Sequence, residues 1–136
     1  MRKKKVKILI VDDEQVHRYM LYSMLTEWGW SCQKADDGET AVAAVRQGPF
    51  DVILMDVCME PLDGLEALRQ IHAINPSIPV VMMTAYSSID SAVEAIKLGA
   101  HDYLTKPIDF ERLRETLEVA MGHRQQPDKT ELTEKP

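Results

Sequence analysis

Three unbroken apolar runs limit what this chain can fold into. Lys7-Ile8-Leu9-Ile10-Val11, Val52-Ile53-Leu54-Met55 and Pro79-Val80-Val81-Met82-Met83 show no alternation of polar and apolar residues. A strand with one wet face alternates, whereas a continuous run bounded by turn residues is a strand covered on both faces. Each run also ends on polar chemistry: Asp12-Asp13-Glu14, Asp56 and Thr84. In a parallel sheet every carboxyl end points to one edge, where open α/β folds bind their ligands.

The segments between the runs carry helical spacing. Val16, Met20 and Met24, flanked by Leu21, Leu25 and Trp28, predict a first helix with one apolar face, stopped at Gly29. Trp30 to Ala35 is more polar and predicts a strand at a sheet edge. Asp36-Asp37-Gly38 reads as a turn, and Ala41, Ala44 and Val45 as a short helix ended by Gly48-Pro49. After Asp56 a loop leads to Asp63, a helix cap with Glu66 as its capping-box partner. Leu65, Leu68, Ile71 and Ile74 give that helix its face, and Asn75-Pro76 ends it. Ser87 or Ser88 caps a helix carrying Ile89, Ala92, Val93 and Ile96, closed by Gly99. Asp102-Tyr103-Leu104-Thr105 is a fifth strand, ending on Lys106-Pro107. Asp109 caps a last helix with Phe110, Leu113, Leu117, Ala120 and Met121. Strand and helix alternate five times, which predicts a doubly wound α/β fold with right-handed crossovers.

The 136 residues suffice for one domain with its own core. Residues 1–5 read as a basic arm, 6–122 as the domain, and 123–136 as a polar tail or the start of a linker. The formal net charge of −6 argues against general nucleic-acid binding. No apolar stretch is long enough for a membrane span, and the amino end lacks a signal-peptide pattern, so the expected location is cytoplasmic. Cys32 and Cys58 have no metal or redox spacing and read as small buried or half-buried hydrophobes. His17, His72, His101 and His123 share no spacing and read as surface or helix-face residues.

The strand ends together define a chemistry. Asp12, Asp13 and Asp56 crowded at one edge repel each other unless a cation sits among them. A hard divalent ion with oxygen ligands, Mg²⁺ first, meets that need, with Mn²⁺ as a substitute. Lys106 adds a second positive charge and Thr84 a neutral donor. Such a set suits a phosphoryl group, with Asp56 as nucleophile.

These motifs make the chain resemble a response-regulator receiver domain of a two-component system, over about Val6 to Gly122. The residues that carry the resemblance are Ile10-Val11-Asp12-Asp13-Glu14, Leu54-Met55-Asp56-Val57, Leu62-Asp63-Gly64, Met83-Thr84-Ala85, Gly99-Ala100 and Lys106-Pro107. The resemblance implies a CheY-like, five-stranded parallel sheet in order 2-1-3-4-5 with five helices. It implies that Asp56 accepts a phosphoryl group from a sensor histidine kinase. It implies Mg²⁺ held by Asp13, Asp56 and the backbone carbonyl of Cys58, with Asp12 acting through water. Lys106 would contact the phosphoryl group, and the Lys106–Pro107 bond would be cis. Thr84 and Tyr103 would couple phosphorylation to the face formed by the fourth helix, fifth strand and fifth helix. Cys58 and Tyr86 would tune loss of the phosphoryl group. The chemistry implied is that of a phosphoacceptor switch with only self-phosphorylation and self-dephosphorylation, not of a metabolic enzyme.

A narrower likeness joins Thr84 to Ser88, Ala92 to Ala95, Gly99 to Leu104 and Lys106 to Phe110 to receivers of the NtrC type. That class implies an AAA+ ATPase output domain acting on sigma-54 RNA polymerase, a DNA-binding domain, and a homodimer. Neither output domain fits in this chain, so it reads as a regulatory fragment or as a stand-alone receiver. Met59-Glu60-Pro61 displaces by one place the proline that many receivers carry after Met. Two other readings compete. An aspartyl phosphatase would want an acid where Cys58 stands. A degenerate interaction module would have lost one of Asp12, Asp13, Asp56, Thr84 or Lys106.

Overall fold

The computed structural model describes residues 5–59, 62–85 and 89–122. Among them five strands alternate with five helices. In chain order they are β1 (Lys7–Val11), α1 (Gln15–Glu27), β2 (Ser31–Ala35), α2 (Gly38–Gln47), β3 (Val52–Asp56), α3 (Gly64–Ile74), β4 (Val80–Thr84), α4 (Ile89–Lys97), β5 (Asp102–Thr105) and α5 (Phe110–Ala120). Every strand pair is parallel, and the sheet runs β2-β1-β3-β4-β5. This is the doubly wound order that the resemblance implies.

The apolar runs are continuous because alternate residues feed two cores. Leu9, Val11, Ile53, Met55, Val80 and Met82 point to one face, against buried residues of α2, α3 and α4. Ile8, Ile10, Val52, Leu54, Val81, Met83 and Leu104 point to the other, against α1 and α5. Period-two alternation therefore persists, but both halves are apolar. Each fully buried side chain of the central strands is worth about 1.5–3 kcal/mol in transfer terms. β2, at the edge, keeps Gln33 and Lys34 exposed. Gly29 and Gly99 end α1 and α4 at φ of 96° and 113°, where a side chain would be strained.

Several helices differ in detail from the expected pattern. On α1 the buried residues are Leu21 and Leu25, while Val16 is 77% exposed and Met20 is also exposed. Of the expected face, Leu21, Leu25, Met24 and Trp28 pack on the core, and Val16 and Met20 turn outward. One residue turns a helix by 100°, enough to exchange a core face for a wet one. On α4 the expected face points outward. Ile89, Val93 and Ile96 are exposed, and only Ala95 is buried. The small side chain of Ala95, rather than the large ones, meets the core shared with Met82 and Tyr103. On α3, Ala67 joins Leu68 and Ile71 in the core while Ile74 is at its edge. Asp37 caps a helix that starts at Gly38, where a turn was expected; its side chain accepts from the Thr40 N–H at 2.8 Å. Asp63 caps α3 through the Glu66 N–H at 2.9 Å, but the Glu66 carboxylate turns to Arg69 and Gln70, so the capping box is half formed. Asp109 caps α5, accepting from the N–H groups of Glu111 and Arg112. Ser87 and Ser88, residues 1–4, Glu60-Pro61 and the tail from His123 lie outside the described residues.

Candidate functional site

The carboxyl ends of β1, β3, β4 and β5 meet at one edge of the sheet. Asp56, the last residue of β3, is buried, and so are Asp12, one residue past β1, and Thr84, the last of β4. Asp13 follows Asp12 into solvent. Carboxylate oxygens of Asp12, Asp13 and Asp56 lie within 4.8 Å of one another. Lys106, just past β5, reaches across. Its Nζ donates to Asp56 Oδ2 at 2.9 Å and stands 3.5 Å from Asp12 Oδ2. The sheet thus gathers residues spread over most of the sequence.

Backbone bonds fix these groups. The Lys106 N–H donates to the Thr84 carbonyl at 2.7 Å, binding the ends of β4 and β5 together. The Lys106–Pro107 peptide is cis. The Val57 N–H donates to the Met83 carbonyl at 2.8 Å, and the Gly64 N–H to the Val57 carbonyl at 2.7 Å. The Cys58 N–H donates to Asp56 Oδ1 at 3.1 Å, so both oxygens of that carboxylate are held. Cys58 itself is exposed, not the buried or half-buried hydrophobe expected; Cys32 is half-buried and packs on the α1 and α5 side. Tyr103, on β5 opposite Met82, is half-buried against the other core. Tyr86 lies outside the described residues.

One participant was missed by the sequence reading. Of the two expectations for His17, helix face rather than surface holds: its side chain is 12% exposed on α1, and Nδ1 lies 2.5 Å from Asp12 Oδ2. The available signal was its place four residues before Leu21 and eight before Leu25, on the stripe that faces the sheet.

The charges are uneven. Burial pushes the Asp12 carboxyl up, but the bonds from His17 and the Glu14 N–H, with the charges of Lys106 and His17, more than offset it. Its pKa falls below the ordinary value. Burial pushes Asp56 up too, and there it outweighs the Lys106 and Cys58 bonds and the Lys106 charge, with the charge of Asp12 adding a smaller rise. Burial opposes the charge on Lys106, but Asp56 and Asp12 outweigh it and raise its pKa. Three clustered carboxylates against one ammonium leave room for a hard cation, and the oxygen donors suit Mg²⁺.

A stability prediction follows from the Asp56 shift. A carboxyl whose folded pKa lies above its unfolded value costs stability when ionised. That cost is full above the folded pKa and fades as pH falls through it toward the unfolded value. Without metal, Asp56→Asn, which still accepts from Lys106, should raise the melting temperature at neutral pH by a few degrees. The gain should shrink as pH falls into the carboxylate range. Thermal melts across pH check this; a lower neutral-pH midpoint for Asp56→Asn would contradict it.

Comparison with known proteins agrees with this arrangement. The transcriptional regulatory protein ZraR of Salmonella typhimurium is 50% identical over 119 residues, covering 88% of this chain and 27% of that protein. The DNA-binding transcriptional regulator NtrC of the same organism is 38% identical over 119 residues, covering 88% and 25%. The chain thus spans about a quarter of the length of the curated relatives it matches. Among solved structures, the receiver domain of NtrX from Brucella abortus superposes with a TM-score of 0.80 at 34% identity, covering 84% of this chain and 97% of that one. The chemotaxis protein CheY4 of Vibrio cholerae superposes with a TM-score of 0.82 at 31% identity, covering 86% and 99%. The family model for the response regulator receiver domain matches residues 8–118. With nearly the whole described fold inside that match, the chain belongs to the response regulator receiver domain family.

Proposed function

We propose that this chain is a phosphorylation-controlled switch in which Asp56 accepts a phosphoryl group from a sensor histidine kinase. The observation that carries the reading is the placement of a buried carboxylate between Lys106 Nζ, at 2.9 Å, and the acidic pair Asp12-Asp13. Asp56 would attack phosphorus as its own oxygen–phosphorus bond forms. The phosphorus–nitrogen bond of the kinase phosphohistidine breaks, and its electron pair returns to the imidazole. Asp13 and Asp56, with the Cys58 carbonyl, would hold Mg²⁺, and Asp12 would support it from the second rank. The ion supplies positive charge against the incoming phosphoryl oxygens. Lys106 supplies the same from the protein side, and the N–H of Cys58 orients the acceptor.

The output of the switch follows from added charge. A phosphoryl group brings roughly −1.5 to −2 charges and three strong acceptors to a buried strand end. Lys106, bonded to Asp56 beforehand, would transfer to a phosphoryl oxygen. The Thr84 hydroxyl would move toward the same group, and Tyr103 into the space it leaves. The α4–β5–α5 face would then change. Cys58 and Tyr86, two residues past Asp56 and Thr84, would set the hydrolysis rate.

The likeness to ZraR and NtrC, both transcriptional regulators, supports an output in transcription. By that likeness the full protein would carry a sigma-54-directed AAA+ ATPase and a DNA-binding domain, and dimerise through its receiver. Residues 123–136 would begin the linker. A cytoplasmic location is in keeping with these roles; no helix among the described residues is long and apolar enough to cross a membrane.

Beryllofluoride with Mg²⁺, a mimic of aspartyl phosphate, tests the switch by amide chemical shifts. The wild type should shift from Asp56 through Thr84 and Tyr103 to α4, β5 and α5. Lys106→Ala should bind the mimic yet lose most of the shifts beyond Thr84. A wild-type pattern in Lys106→Ala would contradict the coupling, and no shifts in the wild type would contradict the switch.

A further inference from the structure

His17 has a role that the phosphoacceptor chemistry alone does not require. α1 begins at Gln15, so its first turn brings His17 back over the end of β1. There Nδ1 lies 2.5 Å from Asp12 Oδ2. The same turn holds the rest of Asp12: the Glu14 N–H donates to Oδ1 at 2.9 Å, and the Arg18 guanidinium to the main-chain carbonyl at 2.7 Å. Asp12 is fully buried, and its carboxylate is oriented by the Glu14 N–H and His17. At Oδ2 the other donor, Lys106 Nζ, is 3.5 Å away and is bound more closely to Asp56. Without His17, the Glu14 N–H would still hold Oδ1, but the one partner left at Oδ2 among these contacts would be Lys106.

We infer that His17 is a positioning residue: its Nδ1–H holds the Asp12 carboxylate toward the space it shares with Asp13 and Asp56, ready for a divalent cation. The inference rests on the reading of that cluster as a Mg²⁺ site. His17 donates to a supporting carboxylate and is not itself a ligand. Partners behind a direct metal ligand are worth about 10- to 100-fold in metal affinity, and because Asp12 supports the ion through water the low end of that range applies to His17. His17 lies on the same face of α1 as the buried Leu21 and Leu25, where apolar side chains otherwise meet the sheet. A histidine there is therefore best explained by the bond it makes.

Calorimetric titration of Mg²⁺ into the metal-free protein separates the outcomes. His17→Leu keeps the core stripe and removes the donor; its Kd for Mg²⁺ should rise about tenfold. His17→Asn carries an amide nitrogen the same number of bonds from Cα as Nδ1, and should restore most of the affinity. Melting temperatures taken alongside show whether both variants are folded. A role in packing alone would lower the melting temperature and leave Kd unchanged. A wild-type Kd in folded His17→Leu overturns the inference, as does an Asn variant as weak as the Leu variant. If the wild type itself binds no Mg²⁺, the cation site fails and this inference with it; that result is distinct from a wild type that binds and a Leu variant that binds equally well.

Discussion

Asp56→Ala is expected to take up no phosphoryl group at all. Asp56 lies at the end of the central strand β3, with its oxygens held by Lys106 and by the Cys58 N–H. Asp13 is exposed, and Asp12 is committed to His17 and the Glu14 N–H. Neither can substitute as acceptor without surrendering its present bonds or its place. The fold should survive, because the substitution removes a carboxylate that burial and Asp12 already disfavour in its charged form. Lys106 then keeps Asp12 as its partner, with its ammonium partly open to water. Phosphorylation with a small-molecule donor, followed by mass measurement, reads the loss. A phosphoryl group retained by Asp56→Ala would move the acceptor to another residue.

The second large effect is on the backbone that carries the acceptor. Gly64, the first residue of α3, is buried against the chain just past β3. A Cβ there would lie 2.1 Å from the Asp56 carbonyl oxygen and 2.7 Å from Val57 Cα. Both are backbone atoms, held by the Val57-to-Met83 and Gly64-to-Val57 bonds, and neither can swing aside as a side-chain tip would. Gly64→Ala should therefore cost about 3 kcal/mol, at the upper end for overpacking. In a domain of this size that lowers the melting temperature by on the order of 10 °C. Because the displaced segment is Asp56 to Cys58, phosphorylation should slow as well. Thermal melts and labelling rates check both parts. A wild-type melting temperature in Gly64→Ala would mean that the α3 start is not pinned to the acceptor strand.

How far the sequence reveals this molecule depends on which contacts decide each element. The buried strands were legible because both cores demand apolar residues, so Ile8 to Val11, Val52 to Met55 and Val80 to Met83 show no polar break. Their order in the sheet came from the resemblance, and the register pairs agree with it. The convergence of Asp12, Asp13, Asp56, Thr84 and Lys106 was legible because a parallel sheet sends all carboxyl ends one way. Helix phase was harder. α1 has apolar residues on adjacent stripes, and Met20 and Val16 matched the spacing as well as Leu21 and Leu25 did. The choice between them is made by contact with Ile8, Ile10 and Leu54, which spacing does not encode. His17 was passed over because the four histidines share no spacing, although it lies on the face of Leu21 and Leu25. α4 failed for a related reason. Its large apolar residues formed a periodic face, yet the sheet accepts Ala95 and leaves Ile89, Val93 and Ile96 exposed. Glu66 was assigned to the Asp63 cap, but Arg69 three residues on competes for it and prevails.

The central claim is that Asp56 is a Mg²⁺-dependent phosphoacceptor. Intact mass after incubation with acetyl phosphate, with and without Mg²⁺, tests it most directly. The account predicts the gain of one phosphoryl group that requires Mg²⁺ and is lost on treatment with hydroxylamine, as an acyl phosphate is. No gain in folded protein, or a gain of the same size without Mg²⁺, would contradict it.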